Sequence, residues 1–195
     1  MNGPEAMRLL VHGASGRMGR ALLRLAAACD DCRVVAAVTG GRPEQRVMDG
    51  VPHFAAAEMG GVPAFDVAVD FSRPEGFDRV LALCVARGTA FVSGTTGLDE
   101  ARLEALDAAA AGIPCIWAAN FSLGVAVLSR VVEQAAADLR HWDCDIVEIH
   151  HAGKVDAPSG TALALGAAAE GAGATPRYAS LRAGDVVGEH CVQFT

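Results

Sequence analysis

The sequence has 195 residues, of which 52% are hydrophobic and 20% charged, and its formal net charge is −7. This composition excludes a disordered chain, and the negative charge without a basic stripe argues against nucleic-acid binding. No apolar run reaches the roughly 18–20 residues of a membrane span, and the N-terminus lacks the pattern of a signal peptide, so we expect a cytoplasmic protein without nucleic-acid or membrane partners.

The predicted elements alternate between strands and helices in chain order. Strands are predicted at 8–12, 33–38, 66–71, 90–93, 113–118 and 144–149, and helices at 18–28, 74–87, 100–111, 122–139 and 161–169. The segment 39–52 is rich in glycine, proline and charge, which predicts a loop. Alternation through the first 120 residues predicts βαβ units and a parallel sheet. We therefore predict an α/β fold with a doubly wound sheet over 1–121 and a smaller α+β domain over 122–195.

A glycine-rich turn, residues 13–19, joins the first predicted strand to the first helix. Gly13 permits a tight turn, Gly16 lets the backbone approach a diphosphate, and Gly19 lets the helix pack closely. The helix N-terminus then presents free N–H groups to the phosphates. This context favours a Rossmann-type dinucleotide site over a purely structural turn, with the predicted cofactor-binding residues Gly13, Ala14, Ser15, Gly16, Arg17 and Met18. Arg17 fits equally well over the phosphates or on the surface.

The end of the second predicted strand is where NAD-dependent enzymes usually carry an acidic residue for the ribose hydroxyls. This sequence has none; Thr39 can hydrogen-bond the ribose or a 2′-phosphate, and Arg42 can pair with a 2′-phosphate. The pattern favours NADPH, or use of both NADPH and NADH. Two further turns follow strands at the same edge, where a nicotinamide and its ribose would lie. They contribute the predicted cofactor residues Gly94, Thr95, Thr96, Ala118, Ala119, Asn120 and Phe121.

Six cysteines are scattered along the sequence, and Cys29 and Cys32 have the spacing of a redox or zinc half-site. No second pair completes a tetrahedral site. We therefore predict no metal and interpret the cysteines as small buried residues in a reducing compartment.

The densest cluster of polar side chains lies in residues 148–161. Lys154 is the single lysine of the sequence and closely follows the adjacent histidines His150 and His151. Lysine and histidine can be tuned to donate protons, whereas arginine stays charged. The segment Ser159-Gly160-Thr161 opens the next predicted helix, where free N–H groups and two hydroxyls can hold an anion. The cluster predicts catalysis on a small carboxylate substrate; the alternatives are an ordinary N-cap and a chance surface lysine.

Together, these segments resemble the dihydrodipicolinate reductase (4-hydroxy-tetrahydrodipicolinate reductase) family of bacterial lysine biosynthesis. The segment from His150 to Thr161 is highly specific for that family, whereas the glycine-rich turn is not. The matching segments follow the family order and comprise residues 13–19, 69–72, 74–76, 94–97, 119–122, 150–151, 154–161, 182–185 and 188–190.

The resemblance implies an oxidoreductase that transfers a hydride from NADPH or NADH to a cyclic dicarboxylate, giving tetrahydrodipicolinate for diaminopimelate and lysine synthesis. It implies that His150 and Lys154 donate protons, and that His151, Gly160 and Thr161 hold the substrate carboxylates. Ser159 joins the predicted substrate-binding residues because it opens the same helix. The resemblance also implies an N-terminal nucleotide domain, a C-terminal domain for substrate binding and oligomerisation, and a homotetramer.

The sequence departs from the family in three places. Thr39 stands where the family often has an acidic residue, the stretch between Lys154 and Arg182 is shorter than in many relatives, and relatives continue beyond 193–195. We therefore expect a second domain truncated at its C-terminus, and the alternative function is an inactive nucleotide-binding remnant or a sensor. A short-chain dehydrogenase is excluded because it requires Tyr-x-x-x-Lys, and Arg182 stands four residues after the sole tyrosine, Tyr178.

Overall fold

A computed structural model describes residues 5–195. The chain divides into two compact units, the first ending at Ala118 and the second running from Ala119 to Thr195. The first unit contains β1 (Met7–His12), α1 (Arg17–Ala27), β2 (Cys32–Thr39), β3 (Val47–Met48), β4 (Val51–Ala55), a 3₁₀ helix (Ala56–Gly61), β5 (Val67–Asp70), α2 (Pro74–Arg87), β6 (Ala90–Ser93), α3 (Glu100–Ala110) and β7 (Cys115–Trp117). The second contains α4 (Leu123–Asp138), β8 (Cys144–His150), α5 (Gly160–Gly171), β9 (Pro176–Arg182) and β10 (Glu189–Phe194).

The strands of the first unit form one sheet in the order β3-β4-β2-β1-β5-β6-β7. Neighbouring strands are parallel, except for β3 and β4, which form an antiparallel pair at the edge. The chain runs outward from β1 through β2 and β4, and then outward on the other side through β5, β6 and β7. This reversal creates the switch point at which doubly wound sheets bind ligands, at the carboxyl ends of the strands. The predicted Rossmann-type sheet is confirmed.

Helix α2 shows how the sequence sets these elements. Pro74 occupies its first turn, where the missing N–H has no intrahelical partner to lose. Gly88 ends it in the left-handed conformation, with φ 65° and ψ 32°. Phe77 is fully buried and packs edge-on against Phe91 of β6, with ring centroids 5.5 Å apart. Burial of such a side chain contributes about 1.5–3 kcal/mol, so this face holds α2 against the sheet.

The second unit is built on a three-stranded sheet in the order β10-β8-β9. Strand β8 is parallel to β9 and antiparallel to β10. Alternate residues of β8 are buried, and Cys144 and Ile146 share a hydrophobic core with α4 and α5. A Cβ atom at Gly166 of α5 would collide with the hydroxyl of Tyr178 on β9, so this glycine permits the close approach of α5 to the sheet.

The structure corrects the predicted loop at 39–52, because β3 and the start of β4 lie within it. Pro52 and His53 interrupt the apolar pattern of β4, so the sequence pattern does not predict this strand. The sequence pattern also misses β9 and β10, whose residues alternate between exposed and half-buried without a fully buried position. The predicted boundaries of the other elements agree with the structure to within two residues.

All six cysteines are free thiols. Cys84 and Cys144 are buried as predicted, but the interpretation is wrong for Cys29 and Cys191, which are exposed. Among residues 5–195, no three histidine, cysteine or acidic side chains are grouped so that they could hold a metal ion. Over the same residues, no helix combines the length and apolar character needed to cross a membrane.

Candidate active site

The turn between β1 and α1 in the first unit has the geometry of a phosphate-binding loop. Gly13 has φ +79°, and a Cβ atom there would collide with the carbonyl oxygen of Phe71. The Gly16 N–H donates to the Gly13 carbonyl at 2.9 Å and closes the turn. A Cβ atom at Gly19 would collide with that same carbonyl, and no side chain caps the start of α1. The loop thus presents uncapped N–H groups without side-chain obstruction, which suits a diphosphate.

A cavity of about 630 Å³ opens beside this loop. Its lining combines small residues with two guanidinium groups: His12, Gly13, Ser15, Gly16, Gly40, Gly41, Ala56, Phe71, Ser72, Arg73, Glu75, Gly76 and Arg79. The glycines at the end of β2 leave space for a sugar ring, and the arginines give the cavity a net positive charge. The cavity therefore has the size and charge expected for part of a nucleotide.

A buried carboxylate, Asp70 at the end of β5, organises the same sheet edge. One oxygen lies 2.8 Å from Nδ1 of His12, and the other accepts hydrogen bonds of 2.8 Å from the hydroxyls of Ser93 and Thr95. Burial opposes ionisation, but the hydrogen bonds from His12 and the backbone N–H of Ser72 outweigh it, so the pKa of Asp70 is lowered. One carboxylate therefore links the ends of β1, β5 and β6.

The predicted cofactor residues of the first unit differ in their exposure to solvent. Ser15, Arg17, Met18 and Thr96 are exposed. Thr39 and Thr95 are buried, and their hydroxyls donate within the protein, Thr39 to the carbonyl oxygen of Gly41 at 2.7 Å and Thr95 to Asp70. Thr39 therefore shapes the turn after β2, and its predicted contact with the ribose or its phosphate stays a prediction. Gly94 is needed for packing, since a Cβ atom there would collide with the Phe71 ring.

In the second unit, the predicted acid His150 stands at the end of β8 and is 9% exposed. Its Nδ1 atom contacts a carboxylate oxygen of Glu148, two residues earlier on the same buried face of the strand. Its ring also packs edge-on against His190 of β10, with centroids 5.1 Å apart. Burial, and secondarily the neighbouring His150 ring, lower the pKa of His190. His150 is thus held between a carboxylate and a second imidazole.

Arg182, the last residue of β9, ties this group to the neighbouring loop. Its guanidinium donates to both oxygens of Glu148, at 2.8 and 3.0 Å. It also donates to the backbone carbonyls of Asp156 at 2.6 Å and Lys154 at 3.3 Å. A single cation therefore holds both the carboxylate beside His150 and the loop that carries Lys154.

The side chain of Lys154 is one-fifth exposed, and its Nζ atom lies 2.7 and 2.8 Å from the two carboxylate oxygens of Asp156. The hydrogen bonds from Lys154 lower the pKa of Asp156. His151 is exposed, and its carbonyl accepts the backbone N–H of Lys154 at 3.1 Å. The predicted acid Lys154 thus lies at the surface in an ion pair, whereas His150 is enclosed.

The start of α5 brings together residues predicted separately for substrate and cofactor. Ser159 is buried, and its hydroxyl accepts the Ala162 N–H at 3.2 Å and lies 3.0 Å from Nε2 of His190. Ser159 therefore forms the N-cap considered as the alternative. The amide of Asn120 donates to the Thr161 hydroxyl at 3.0 Å. Gly160 is exposed, and a Cβ atom placed there would have no neighbour within 4 Å. This leaves room for a ligand at the helix start.

Sequence reasoning did not assign roles to Asp70, Glu148, Arg182 or His190. Two signals for them were present. Asp70 is the next-to-last residue of the predicted strand 66–71, near the carboxyl edge of the sheet. Glu148 precedes His150 by two residues, a spacing that places both on one face where a strand runs through them. The contacts of Arg182 and His190 depend on the pairing of β9 and β10 with β8, and the sequence pattern does not predict those strands.

The second unit therefore offers two side chains of types that can carry a transferable proton, and a helix N-terminus at which Gly160 leaves room for an anion. The first unit offers a phosphate-binding loop and a positively charged cavity. These are the parts that a nucleotide-dependent reduction of a carboxylate compound requires.

Comparisons with known proteins agree with this description. Residues 7–121 match the family model described as "Dihydrodipicolinate reductase, N-terminus", and residues 124–195 match the model described as "Dihydrodipicolinate reductase, C-terminus". The chain is 68% identical over 190 residues to a 4-hydroxy-tetrahydrodipicolinate reductase of Stenotrophomonas maltophilia (strain R551-3), covering 97% of this chain and 80% of that relative. It is 62% identical over 189 residues to the enzyme of the same name from Xylella fastidiosa (strain 9a5c), covering 97% of this chain and 80% of that protein.

Solved structures share the fold at lower sequence identity. A dipicolinate-bound dihydrodipicolinate reductase from Paenisporosarcina sp. TG-14 superposes with a TM-score of 0.78 at 22% identity, covering 97% of this chain and 83% of that structure. An aspartate semialdehyde dehydrogenase with NADP from Candida albicans gives a TM-score of 0.63 at 11% identity, covering 97% and 71%.

Proposed function

The chain belongs to the dihydrodipicolinate reductase family, and from that premise we propose the roles that its residues play in the reaction. The substrate is 4-hydroxy-tetrahydrodipicolinate and the product is tetrahydrodipicolinate, in the synthesis of diaminopimelate and lysine. The two names differ by one hydroxyl group, so that hydroxyl leaves as water together with a neighbouring ring hydrogen, and a hydride and a proton then add to the ring. The observation that carries the residue roles is that one guanidinium, Arg182, binds both the Glu148 carboxylate beside His150 and the backbone of Lys154.

The proposed cofactor site lies on the loop between β1 and α1. Cβ atoms at Gly13 and Gly19 would collide with backbone carbonyls, so glycines allow this tight loop, whose uncapped N–H groups fit the diphosphate of NADPH or NADH. When bound, the nicotinamide supplies the hydride. The N–H groups at the start of α1 hold the diphosphate, and Gly94 keeps the turn after β6 against Phe71. Asn120 and Phe121 remain proposed contacts of the nicotinamide end.

The proposed proton donors are His150 and Lys154. Addition of a hydride leaves an electron pair on the ring, and a positioned acid must supply a proton to it. His151, Gly160 and Thr161 hold the two substrate carboxylates, through an imidazole, a free backbone N–H and a hydroxyl at a helix N-terminus. Ser159 supports them by capping α5 and fixing His190.

We further propose a cytoplasmic homotetramer. The face of β8, β9 and β10 opposite the helices carries apolar side chains, among them Leu181, which is 54% exposed. Burial of such a face between subunits would stabilise an oligomer. Light scattering coupled to size-exclusion chromatography measures the mass directly, and a monomer would contradict this assembly.

The experiment that tests the function is oxidation of NADPH and of NADH, followed at 340 nm, with substrate generated in place by the preceding enzyme of the pathway. We expect turnover with a preference for one cofactor. Absence of turnover with intact NADPH binding, measured by fluorescence titration, would favour the alternative of a nucleotide-binding remnant or sensor.

Lys154→Ala tests the second proton donor. We expect turnover to fall by about 10²–10⁴-fold, the usual contribution of a general acid, with unchanged cofactor affinity. Arg130→Ala is the matched control, because Arg130 is an exposed cation on α4 of the same unit. Equal loss of turnover and cofactor affinity would contradict a role for Lys154 as an acid.

Gly16→Val tests the cofactor loop. Since the added side chain occupies the space of the diphosphate, we expect NADPH affinity to fall by at least about 100-fold, or ~2.7 kcal/mol. Gly60→Val is the control, because Gly60 is exposed and has open space in its Cβ direction. Unchanged NADPH affinity in Gly16→Val would overturn the loop assignment.

A further inference from the structure

The two ring nitrogens of His150 have different neighbours, and this geometry points to a residue that acts through His150. Its Nδ1 atom lies against Glu148, whereas its Nε2 atom faces Gly188. A Cβ atom at Gly188 would lie 2.8 Å from Nε2, so only a glycine fits beside that nitrogen. The two ring nitrogens therefore have different environments: one contacts a carboxylate, and the other faces a residue without a side chain.

We propose that Glu148 is a positioning residue for the reduction: it accepts the Nδ1 proton of His150 and fixes the tautomer in which Nε2 exchanges a proton with the substrate. This inference rests on the proposed function and adds to it the atom that carries the proton. A neutral imidazole has one protonated nitrogen, and the hydrogen bond at the other decides which one it is. A fixed tautomer leaves Nε2 ready to be reprotonated after each turnover.

The contacts of Glu148 support an ionised, immobile acceptor. Its side chain is 1% exposed, and its two oxygens accept both donors of the Arg182 guanidinium. Burial opposes ionisation, but hydrogen bonds from Arg182, Ser180 and His150 outweigh it and hold the pKa of Glu148 at about 2. An ionised carboxylate has no proton to give, so His150 must be the donor in the contact between them.

The other charged or titratable groups around the ring bind partners other than its Nε2 atom. His190 approaches the ring edge-on, and its own Nε2 atom lies 3.0 Å from the Ser159 hydroxyl. Arg182 reaches Glu148 on the Nδ1 side. Lys154 is paired with Asp156. Each neighbour that could compete for the proton therefore has another partner.

Arg182 extends the effect to the second proposed acid. The guanidinium that binds Glu148 also donates to the carbonyls of Lys154 and Asp156. Arginine has donors only, so it does not compete for the proton. The position of the Lys154 loop is therefore linked to the carboxylate beside His150. Glu148 and Arg182 together position both proposed acids, His150 through its ring and Lys154 through its backbone.

The test is Glu148→Gln, which keeps the shape of the side chain but removes its charge. We expect kcat to fall by about 10–100-fold, as is typical when the partner that orients a functional histidine is replaced, with the KM for substrate and the affinity for NADPH within twofold of wild type. The pH–kcat profile should also change, because the imidazole loses its anionic partner. Glu148→Asp, which keeps the charge, should recover part of the loss.

Asp145→Asn is the matched control. Asp145 lies on the same strand and also accepts two donors from an arginine of β9, Arg177, both at 2.8 Å. That pair is exposed and contacts no histidine. We expect its kcat and pH profile to match wild type. An unchanged kcat and pH profile in Glu148→Gln, with normal wild-type turnover, would overturn the inference and leave the proposed function intact; absence of wild-type turnover would overturn both.

A second measurement needs no change at Glu148, which guards against a variant that fails to fold. Nitrogen-15 NMR of the wild-type imidazoles distinguishes the two neutral tautomers, and the His150 signals are assigned by their loss in His150→Gln. We expect Nδ1 to carry the proton in the neutral ring. A proton on Nε2 would overturn the inference.

Discussion

Each unit of this molecule buries one carboxylate beside a histidine, and the two units satisfy that carboxylate differently. In the first unit, Asp70 is bound by hydroxyls, a backbone N–H and the ring of His12. In the second, Glu148 is bound by the guanidinium of Arg182 and the ring of His150. The first arrangement uses donors without a permanent charge, and the second pairs a buried anion with a permanent cation.

The residues that pack against the rings of His12 and His150 also differ. A Cβ atom at Gly76 would lie 2.8 Å from Cε1 of His12, so the ring of His12 is packed against the turn that begins α2. The ring of His150 has its Nε2 atom toward Gly188 instead. We infer that the Asp70 group holds strand ends in place for a cofactor, whereas the Glu148 group prepares a side chain for chemistry.

Removing the cation should have the largest effect on stability. Arg182→Met leaves Glu148 buried without its cationic partner, and we expect the second unit to lose about 3–5 kcal/mol of stability. Each unit contains one tryptophan, Trp117 in the first and Trp142 in the second, so urea unfolding of single-tryptophan variants reports each unit separately. Arg177→Met is the control, since the exposed pairs of Arg177 should contribute no more than about 1 kcal/mol. A comparable loss in both variants would contradict a special role for the buried pair.

Removing the charge in the first unit should have a smaller effect. Asp70→Asn keeps the shape of the side chain but weakens its hydrogen bonds, and we expect a loss of about 1.5–3 kcal/mol, seen by Trp117. Asp66→Asn is the control, because Asp66 forms an exposed pair with Arg8. If Asp70→Asn cost as much as Arg182→Met, the proposed distinction between the two carboxylate groups would fail.

Acidification should produce the smallest effect, and it should appear in both units. Burial lowers the pKa of His53 in the first unit and of His190 in the second below the ordinary value of 6.5. As the pH falls below 6.5, the unfolded chain binds protons first, so this stability is present above pH 6.5 and is lost below it. Each histidine should contribute up to about 1.4 kcal/mol per pH unit.

Urea unfolding at pH 7.5 and 5.5 measures this loss. His53→Gln should flatten the pH dependence reported by Trp117, and His190→Gln should flatten that reported by Trp142. Stability that rises on acidification over this range would contradict the burial of neutral imidazoles in both units.

The parts of this structure that the sequence predicts are those set by local patterns. Helix α2 begins at Pro74 and ends before Gly88 as predicted, because both residues act within one turn of the chain. The glycine-rich loop is predictable for the same reason. Strand β4 is missed because Pro52 and His53 break its apolar alternation, although it pairs with β2 over three residues.

The supporting contacts of the candidate site could not be predicted in the same way. His12 and Asp70 are 58 residues apart, and Glu148 and Arg182 are 34 apart. Such pairs meet only because two strands align in a particular register, and a shift of one residue would turn one partner to the opposite face. His150 and Lys154 carry chemistry visible in their residue types, whereas Glu148 and Arg182 acquire their roles from strand pairing.

The ion pair between Lys154 and Asp156 makes this chain suited to selective covalent labelling. Lys154 is the single lysine of the 195 residues, so an acylating reagent that attacks primary amines has one side chain to modify, apart from the α-amino group. Its amine must be accessible to react, and two hydrogen bonds hold it against the Asp156 carboxylate. The rate of labelling therefore reports how often this pair opens, and a bound dicarboxylate that engages the amine should protect it.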